Sequence, residues 1–308
     1  MKLFSGRATR ELAQAICAEL GVAHGQSEIF KFSNDNTFVR VLENVREHNV
    51  YVVQTSTPPV DEALMELLIL IDALKRASAC RLTAVLPYFP YVRSDKKDQP
   101  RVPITARLVS DLLITAGVDR VVTVDLTADQ IQGFFSIPVD HLTAQVVLAE
   151  HFGTQRLDDV VIVAPDPGAV KRAQRFAQRL GVPVAFVDKR RVGGADEVQA
   201  TAVVGDVKDR HAILFDEEID RGTTVCQAAK LLRAAGAHAV SAACTHAVFS
   251  GPATERLQSA ELREIVVVDT VPVPQAKRLT NLTVLPIAPL LAEAIRRIDN
   301  GESVSALF

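Results

Sequence analysis

The chain has 308 residues, of which 48% are hydrophobic and 23% are charged, and its formal net charge is -3. The composition is typical of a globular protein with a large core, and the length predicts two domains of about 150 residues each. The small net charge excludes a bulk attraction to nucleic acid or to a membrane surface, and the absence of tryptophan argues against base-stacking surfaces.

Targeting and redox features point to the cytoplasm. No apolar run in the sequence approaches the roughly 18 residues of a membrane span, and the first residues do not resemble a signal peptide. The four cysteines are far apart and form no CxxC pair, which argues against a zinc site and against a disulfide framework. These features predict a cytoplasmic protein that binds neither membranes nor nucleic acid.

Short β-branched runs alternate with helical patterns along the whole chain. Strands are predicted at 50–54, 82–88, 120–126, 160–166, 184–188, 212–216, 239–246 and 265–269. Helices are predicted at 61–79, 103–117, 168–181 and 224–236. Strands that are apolar on both faces and alternate with helices are typical of an α/β fold, in which helices cover both sides of a mainly parallel sheet.

An internal similarity suggests two related halves. Residues 112-LLITAGVDRV-121 and 231-LLRAAGAHAV-240 share a Leu-Leu pair, an Ala-Gly pair and a valine that enters the next strand. Any helix-glycine-strand connection gives the same pattern, which is the alternative explanation. We predict two similar domains, at 1–145 and 146–308, with ligands beyond the C-terminal ends of the strands. Polar residues at these ends are Asp125, Asp166, Asp216 with Glu217, and His246.

The most informative segment is 216-DEEIDRGTT-224, between a predicted strand and a predicted helix. A helix start offers backbone N–H groups and a favourable dipole to a phosphate group. Carboxylates a few residues earlier suit vicinal hydroxyls, which donate hydrogen bonds to them. A ribose 5-phosphate has both groups. The alternative is an acidic turn in which Asp220 only caps the helix.

Three further segments have charged groups suited to a polyphosphate. In 87–106, Arg93 follows an aromatic and proline-rich stretch, although a solvated loop is the default explanation. In 186–194, Lys189 and Arg191 fit a lid that closes over phosphoryl groups, and a surface hairpin is the alternative. In 163–173, Asp166 is a candidate ligand for magnesium or for a hydroxyl group.

Together these segments resemble the ribose-phosphate pyrophosphokinases, also called phosphoribosyl pyrophosphate synthetases. The similarity extends over essentially the whole chain and in the same order: 4–13, 31–46, 58–79, 92–104, 128–135, 165–173, 245–253 and 288–308. It implies two phosphoribosyltransferase-type, Rossmann-like domains, with the C-terminal tail packed on the first. It also implies an enzyme that transfers the diphosphoryl group of Mg-ATP to C1 of ribose 5-phosphate, releasing AMP.

The resemblance assigns the site residues. Lys189, Arg191 and Arg93 would be catalytic. ATP would be bound by Phe32, Asn34, Asn36, Arg93, Ser94 and Asp95, with Phe32 and Asn34 coming from a neighbouring subunit. Ribose 5-phosphate would be bound by Asp216, Glu217, Asp220, Arg221, Gly222, Thr223 and Thr224. Mg²⁺ would be held by Asp166 and Asp125, near Thr127. The family also implies a homo-oligomer, usually a hexamer built from dimers, and often a regulatory site for ADP or phosphate.

Several residues depart from the family pattern. Asn36 stands where the family has a glutamate, Ser94 where it has glutamine, and Thr127 where it has histidine. Arg221 replaces a threonine, and Thr223 replaces a glycine and is tolerated only if its φ is negative. These departures leave an alternative, an impaired paralogue that regulates or scaffolds a true synthetase as a hetero-oligomer. A phosphoribosyltransferase would not need the first half of the chain.

Overall fold

The structure is a computed structural model that describes the backbone of residues 1–191 and 198–308 and the side chains of residues 1–188 and 202–308. The chain divides into two compact units. The N-terminal unit comprises Met1–Thr143 and Ile287–Phe308, and the C-terminal unit comprises Ala144–Pro286. The final segment of the chain, which follows the last strand of the C-terminal unit, therefore belongs to the N-terminal unit.

The N-terminal unit contains a parallel sheet and a separate hairpin. Its elements are β1 (Lys2–Ser5), α1 (Arg10–Leu20), β2 (Ser27–Lys31), β3 (Thr37–Val41), β4 (Asn49–Val53), α2 (Val60–Arg76), β5 (Arg81–Leu86), α3 (Thr105–Ala116), β6 (Arg120–Val124) and β7 (Val139–Leu142). The sheet order is β1-β4-β5-β6-β7 with parallel neighbours, and β2 pairs with β3 in an antiparallel hairpin.

The C-terminal unit repeats this plan. Its elements are α4 (Gln145–Gly153), β8 (Val160–Ala164), α5 (Val170–Leu180), β9 (Val184–Arg191), β10 (Val198–Val204), β11 (His211–Ile219), α6 (Thr223–Ala234), β12 (Ala239–Ala247), α7 (Ala253–Ser259), β13 (Ile265–Val268) and β14 (Leu282–Leu285). The sheet order is β10-β9-β8-β11-β12-β13-β14. Among the described strands of this sheet, β9 and β10 form the one antiparallel pair.

The last helix, α8 (Ala288–Asn300), packs on α1 within the N-terminal unit. Its apolar side is buried, and Asp299 near its end accepts a hydrogen bond from Asn49 at 2.8 Å. The helix ends at Gly301, whose φ of 74° is the left-handed conformation common after a helix. The tail thereby adds buried apolar surface to the N-terminal core.

The predicted fold class, α/β with two similar domains, is confirmed. When the hairpins β2–β3 and β9–β10 are set aside, the strands β1-β4-β5-β6-β7 and β8-β11-β12-β13-β14 have the same order and direction. The internal similarity noted in the sequence, however, joins α3–β6 to α6–β12, which are not equivalent under this order. That similarity reflects a common helix-glycine-strand connection, and the repeat is visible only in the topology.

The predicted strands and helices are present, but several of their limits differ. β9 continues to Arg191 and β11 to Ile219, beyond the predicted ends at 188 and 216. Both extensions are polar, and in β11 the register with β12 continues through Glu218 opposite His246. The backbone pairing between strands therefore continues beyond the apolar run from which the strand was predicted. No helix in the described part of the chain is both long and apolar enough to cross a membrane.

We expect Leu291→Ala to destabilise the full chain by about 2–5 kcal/mol, because Leu291 of α8 is fully buried and its loss leaves a cavity. The effect is measured by denaturant unfolding of the full chain, in the transition of the N-terminal unit. The matched control is Leu108→Ala on α3, a position that is 54% exposed and should lose under about 1 kcal/mol. Equal losses in the two variants would contradict the packing of α8.

Candidate active site

The acidic pair of the motif lies within a strand, which corrects the prediction that it follows the strand. Because β11 extends to Ile219, Asp216 and Glu217 are residues of the strand itself. Only residues 220–222 connect β11 to α6. The two carboxylates are adjacent in the strand and interact with each other. Glu217 is 6% exposed, whereas Asp216 is half-buried.

Glu217 is held by an arginine of the neighbouring helix. Nη2 of Arg172, on α5, donates to Oε1 of Glu217 at 2.7 Å. The other oxygen, Oε2, is buried and meets no donor among the described residues. The pKa of Glu217 is raised to about 9, chiefly by burial and also by the adjacent Asp216 carboxylate, while Arg172 opposes the shift. A proton shared with Asp216, or a donor from a ligand, would satisfy this oxygen.

Asp166 contributes negative charge from the turn after β8. Burial raises the pKa of Asp216, and the charge of Asp166 adds to this effect. Oδ1 of Asp166 accepts hydrogen bonds from the backbone N–H groups of Gly168 at 2.8 Å and Ala169 at 3.2 Å. The capping contacts fix the carboxylate at the end of β8. Asp166, Asp216 and Glu217 thus concentrate carboxylate oxygens at neighbouring strand ends of one sheet.

The loop into α6 has the conformation of an anion-binding helix start. Gly222 has φ 71°, and a Cβ there would lie 3.3 Å from Cγ of Leu257, so glycine is required at this position. Thr223 is the first residue of α6 and has a negative φ, which meets the condition set for replacing the family glycine. The N-cap residue of α6 is Gly222, which makes no side-chain capping bond, and Asp220 lies two residues before it.

A segment that the sequence analysis did not assign supports this loop. Ser250 donates to the loop twice, from its N–H to the carbonyl oxygen of Asp220 at 2.9 Å and from its hydroxyl to the Asp220 carboxylate. Nη1 of Arg256, on α7, donates to the carbonyl oxygen of Arg221 at 3.1 Å and to the hydroxyl of Thr223 at 3.0 Å. Two features of the sequence could have indicated this segment. Residues 245–253 resemble the family, and they follow a strand whose end is polar.

His246, the other polar strand end in this unit, has a structural environment. It is 1% exposed, and its Nδ1 lies 2.8 Å from the hydroxyl of Thr270. That hydroxyl donates to the carbonyl oxygen of Thr245 at 2.9 Å. The histidine is therefore part of the hydrogen bonding between β12 and the segment after β13.

The residues predicted to contact adenine lie at the turn of the β2–β3 hairpin. The N–H of Phe32 donates to the carbonyl oxygen of Asn36 at 2.9 Å, and the N–H of Asn36 donates to Oδ1 of Asn34 at 3.3 Å. Phe32 is 49% exposed, although its ring lies 5.2 Å from that of Phe30 and 5.6 Å from that of Phe38. The hairpin therefore presents an aromatic face with amides beside it.

The second predicted nucleotide segment precedes α3. Ser94 organises the start of this helix, because its hydroxyl accepts from the N–H of Thr105 at 3.3 Å and its carbonyl oxygen accepts from the N–H of Ala106 at 3.1 Å. Asp95 accepts a hydrogen bond from Gln130 at 2.6 Å. Arg93 is exposed. Ser94 thus has a local structural role that a glutamine at this position would perform differently.

The loop after β6 contains Asp125 and Thr127. Asp125 has φ 36°, an uncommon value for a residue other than glycine, and its N–H donates to the carbonyl oxygen of Leu142 at 3.0 Å. The next N–H, of Leu126, donates to Nε2 of His141 at 2.8 Å. His141 was not selected in the sequence analysis. It supplies an imidazole that fixes the backbone of this loop, next to the position where Thr127 replaces the family histidine.

The structure brings together only part of the predicted set. In the C-terminal unit, the strand-end acids, Arg172 and the loop before α6 occupy adjacent β-strand ends. In the N-terminal unit, the predicted residues lie at the hairpin turn, in the segment before α3 and in the loop after β6. Lys189 and Arg191 have their backbone in β9, but their side chains, and the rest of the predicted lid, lie outside the described residues.

The chain is similar along its whole length to known proteins. Residues 1–117 match a model described as the N-terminal domain of ribose phosphate pyrophosphokinase, and residues 193–308 match one described as a phosphoribosyl synthetase-associated domain. The ribose-phosphate pyrophosphokinase of Rhodopirellula baltica is 48% identical over 310 residues, covering 100% of this chain and 98% of that protein. That of Caldanaerobacter subterraneus is 48% identical over 309 residues, with the same coverages.

A solved structure gives the same result. The crystal structure of phosphoribosylpyrophosphate synthetase from Mycobacterium smegmatis is 48% identical, with a TM-score of 0.90 over 97% of this chain and 99% of that one. The family resemblance predicted from the sequence is confirmed. The chain belongs to the family of ribose-phosphate pyrophosphokinases.

Proposed function

We propose that the chain transfers the β,γ-diphosphoryl group of ATP to the C1 hydroxyl of ribose 5-phosphate, giving phosphoribosyl pyrophosphate and AMP. The observation that carries the proposal is the pairing of a buried carboxylate oxygen that lacks a donor, Oε2 of Glu217, with an open helix start at Gly222. A sugar hydroxyl supplies the missing donor, and a 5-phosphate meets the N–H groups at the beginning of α6.

In this mechanism the C-terminal unit orients the acceptor. Asp216, Glu217 and Asp220 accept hydrogen bonds from ribose hydroxyls. The 5-phosphate lies against the backbone of residues 221–224, with Arg221, Thr223 and Thr224 as side-chain donors. Arg172 keeps the Glu217 carboxylate in place from one side, and Ser250 keeps Asp220 in place from the other. A fixed acceptor lowers the entropic part of the barrier to in-line transfer.

The donor nucleotide would be held by the segments of the N-terminal unit. Phe32 offers an exposed ring for stacking on adenine, and Asn34 and Asn36 offer amides to its polar edge. The part of the nucleotide beside the adenine would be bound by Arg93, Ser94 and Asp95. Lys189 and Arg191 would neutralise the transferring phosphoryl groups, which is the main requirement of this chemistry.

The reaction implies Mg²⁺, and the acidic residues of the C-terminal unit suit it. Carboxylate oxygens are its usual protein ligands, and the charge of Asp166 adds to the burial that raises the pKa of Asp216. Among the described residues, no three side chains of suitable type form a complete metal cage. Mg²⁺ is commonly bound by one or two carboxylates together with substrate phosphates, where it neutralises phosphate charge. Asp166 would hold it here, and Asp125 in the N-terminal unit.

The sequence left an impaired, regulatory paralogue as the alternative. The identity of nearly half the residues with curated pyrophosphokinases favours the enzyme instead. Thr223 also has a conformation that suits the loop, so this departure does not argue against activity. We further propose a cytoplasmic homo-oligomer, a hexamer built from dimers, in which a neighbouring subunit contributes Phe32.

The direct test is to incubate the purified chain with ribose 5-phosphate and Mg-ATP and to follow AMP and phosphoribosyl pyrophosphate together. We expect the two products in equal amounts. ATP hydrolysis without the sugar product would contradict the proposal. Binding of both substrates without turnover at high enzyme concentration would favour the regulatory alternative.

Arg256→Ala is expected to raise the KM for ribose 5-phosphate about tenfold and to change kcat little, because loss of the hydrogen bonds to the loop disorders the phosphate site before substrate binds. Steady-state kinetics with saturating ATP measure both parameters. Arg256→Lys should restore part of the effect.

The matched control for this prediction is Arg233→Ala on α6. Its Nη1 donates to the carbonyl oxygen of Glu261 at 3.4 Å, away from the loop. The KM should stay within about twofold of the parent value, as expected for a half-buried arginine outside the site. A similar rise in both variants would mean that Arg256 acts only through general stability.

The double variant Lys189→Ala, Arg191→Ala is expected to lower kcat by about a hundredfold or more and to leave ribose 5-phosphate affinity within a few-fold, since the lost charges act on the transferring group. Turnover and equilibrium binding of ribose 5-phosphate are measured separately. Arg190→Ala is a control in the same strand. Parallel losses in turnover and affinity would argue against a role in the transition state.

A further inference from the structure

A second polar cleft lies in the N-terminal unit, at the C-terminal end of β1. Its volume is about 450 Å³, and it is bounded by the turn after β1, the first turns of α1 and the base of the β2–β3 hairpin. None of the residues that line it has a role in the proposed reaction. The C-terminal end of a parallel strand followed by a helix is the usual ligand position in α/β sheets.

The charge of this cleft is positive. Arg7, Arg10 and His24 line it, and none of its lining residues, all of which the structure describes, is acidic. Arg7 is already paired, with Glu66 and with Glu62. Arg10 is exposed and has no carboxylate within ion-pair distance among the side chains of residues 1–188 and 202–308. One guanidinium therefore remains available to an incoming anion.

A hydroxyl and an imidazole complete the set of donors. The ring Nε2 of half-buried His24 lies 3.0 Å from Oγ of Ser5, which is 4% exposed. Burial lowers the pKa of His24, and the positive charge of Arg10 lowers it further, whereas Glu43 opposes the shift. Glu43 is itself engaged by Lys2 and by the N–H of Gln26. The imidazole is therefore mainly neutral near pH 7 and gains a proton most easily when an anion offsets Arg10.

The position has a counterpart in the other unit. Strand β8, α5 and the β9–β10 hairpin occupy in the C-terminal order the places of β1, α1 and the β2–β3 hairpin. In the C-terminal unit that position has Asp166 and Arg172, next to the sugar-phosphate loop. The comparison uses the proposed function, but the charge of the N-terminal cleft is independent of it.

We propose that this cleft binds a small phosphate-bearing anion, with Arg10 and His24 as its charged ligands and the hydroxyl of Ser5 as a third donor. A guanidinium with further donors on the same side suits the several oxygens of a phosphate group. The ligand is either inorganic phosphate or the phosphate of a small ester, which the remaining volume admits beside Gln14 and Gln26.

The test is a local one, the titration of the His24 ring by proton NMR with and without inorganic phosphate, in the full chain without substrates. The His24→Gln spectrum assigns the signal. A bound anion stabilises the imidazolium, so we expect phosphate to raise the pKa of His24 by about half a unit or more, a threefold change in the protonation equilibrium. By linkage, protonation of His24 favours phosphate binding as the pH falls through that pKa.

Arg10→Gln should abolish the response, whereas Arg76→Gln, the same change at an exposed arginine of α2 outside the cleft, should preserve it. Arg10→Lys should keep part of it. Phosphate that binds at the loop before α6 does not depend on Arg10, so the comparison of Arg10→Gln with the parent separates an active-site effect from this one, and an inactive enzyme leaves the test intact.

An unchanged His24 titration in the parent chain, or an equal response after Arg10→Gln, would overturn the proposal. Adenosine monophosphate distinguishes the two sources of the phosphate. If it shifts His24 at lower concentration than inorganic phosphate does, the ligand is an ester. If inorganic phosphate acts at the lower concentration, the free ion is the ligand.

Discussion

The buried carboxylate of Glu217 is the constraint on which the sugar-phosphate site depends. Removing an ionised carboxylate from water is costly, and its retention at a strand end requires a partner. Arg172 provides one partner for one oxygen, and the second oxygen has none among the described residues. The oxygen without a protein partner suits a ligand with hydroxyl groups, which donate to it when Glu217 is ionised and accept from it when Glu217 is protonated. The same electrostatics makes the acidic cluster at Asp166 and Asp216 receptive to a divalent cation.

The register of β11 determines the conformation of the loop that follows it, and therefore the geometry of the phosphate site. The register of β11 with β12 continues to Ile219, so only three residues remain to reach α6. Such a short connection requires the left-handed conformation at Gly222, and this in turn frees Thr223 to be an ordinary helical residue. The hydrogen bonds from Ser250 and Arg256 then hold the loop in that form before substrate binds. The departures from the family motif are therefore compatible with one another as a set.

Sequence patterns predicted the fold class, most buried strands and the family, because burial on both faces of a parallel sheet leaves continuous apolar runs. They missed the β2–β3 hairpin, which is short and partly polar, and the polar ends of β9 and β11, where pairing rather than burial maintains the strand. Among site residues, motif spacing selected Asp216 and Gly222. It did not select Arg256 or His141, since residues that act by hydrogen bonding a distant backbone have no local pattern.

The two units show how one topology acquires two chemistries. In the C-terminal unit, Glu217 of β11 turns toward Arg172 and leaves an acceptor free. In the equivalent place of the N-terminal unit, Gln54 follows β4, and Glu66 of α2 receives both the N–H and the guanidinium of Arg7. Glu66 is 1% exposed and saturated with donors, so this position is closed to a sugar hydroxyl. With both oxygens of Glu66 occupied, the donors available to a ligand in the cleft beside β1 are those of Arg10 and His24. The duplicated fold thus keeps an acceptor-rich site in one unit and a donor-rich cleft in the other.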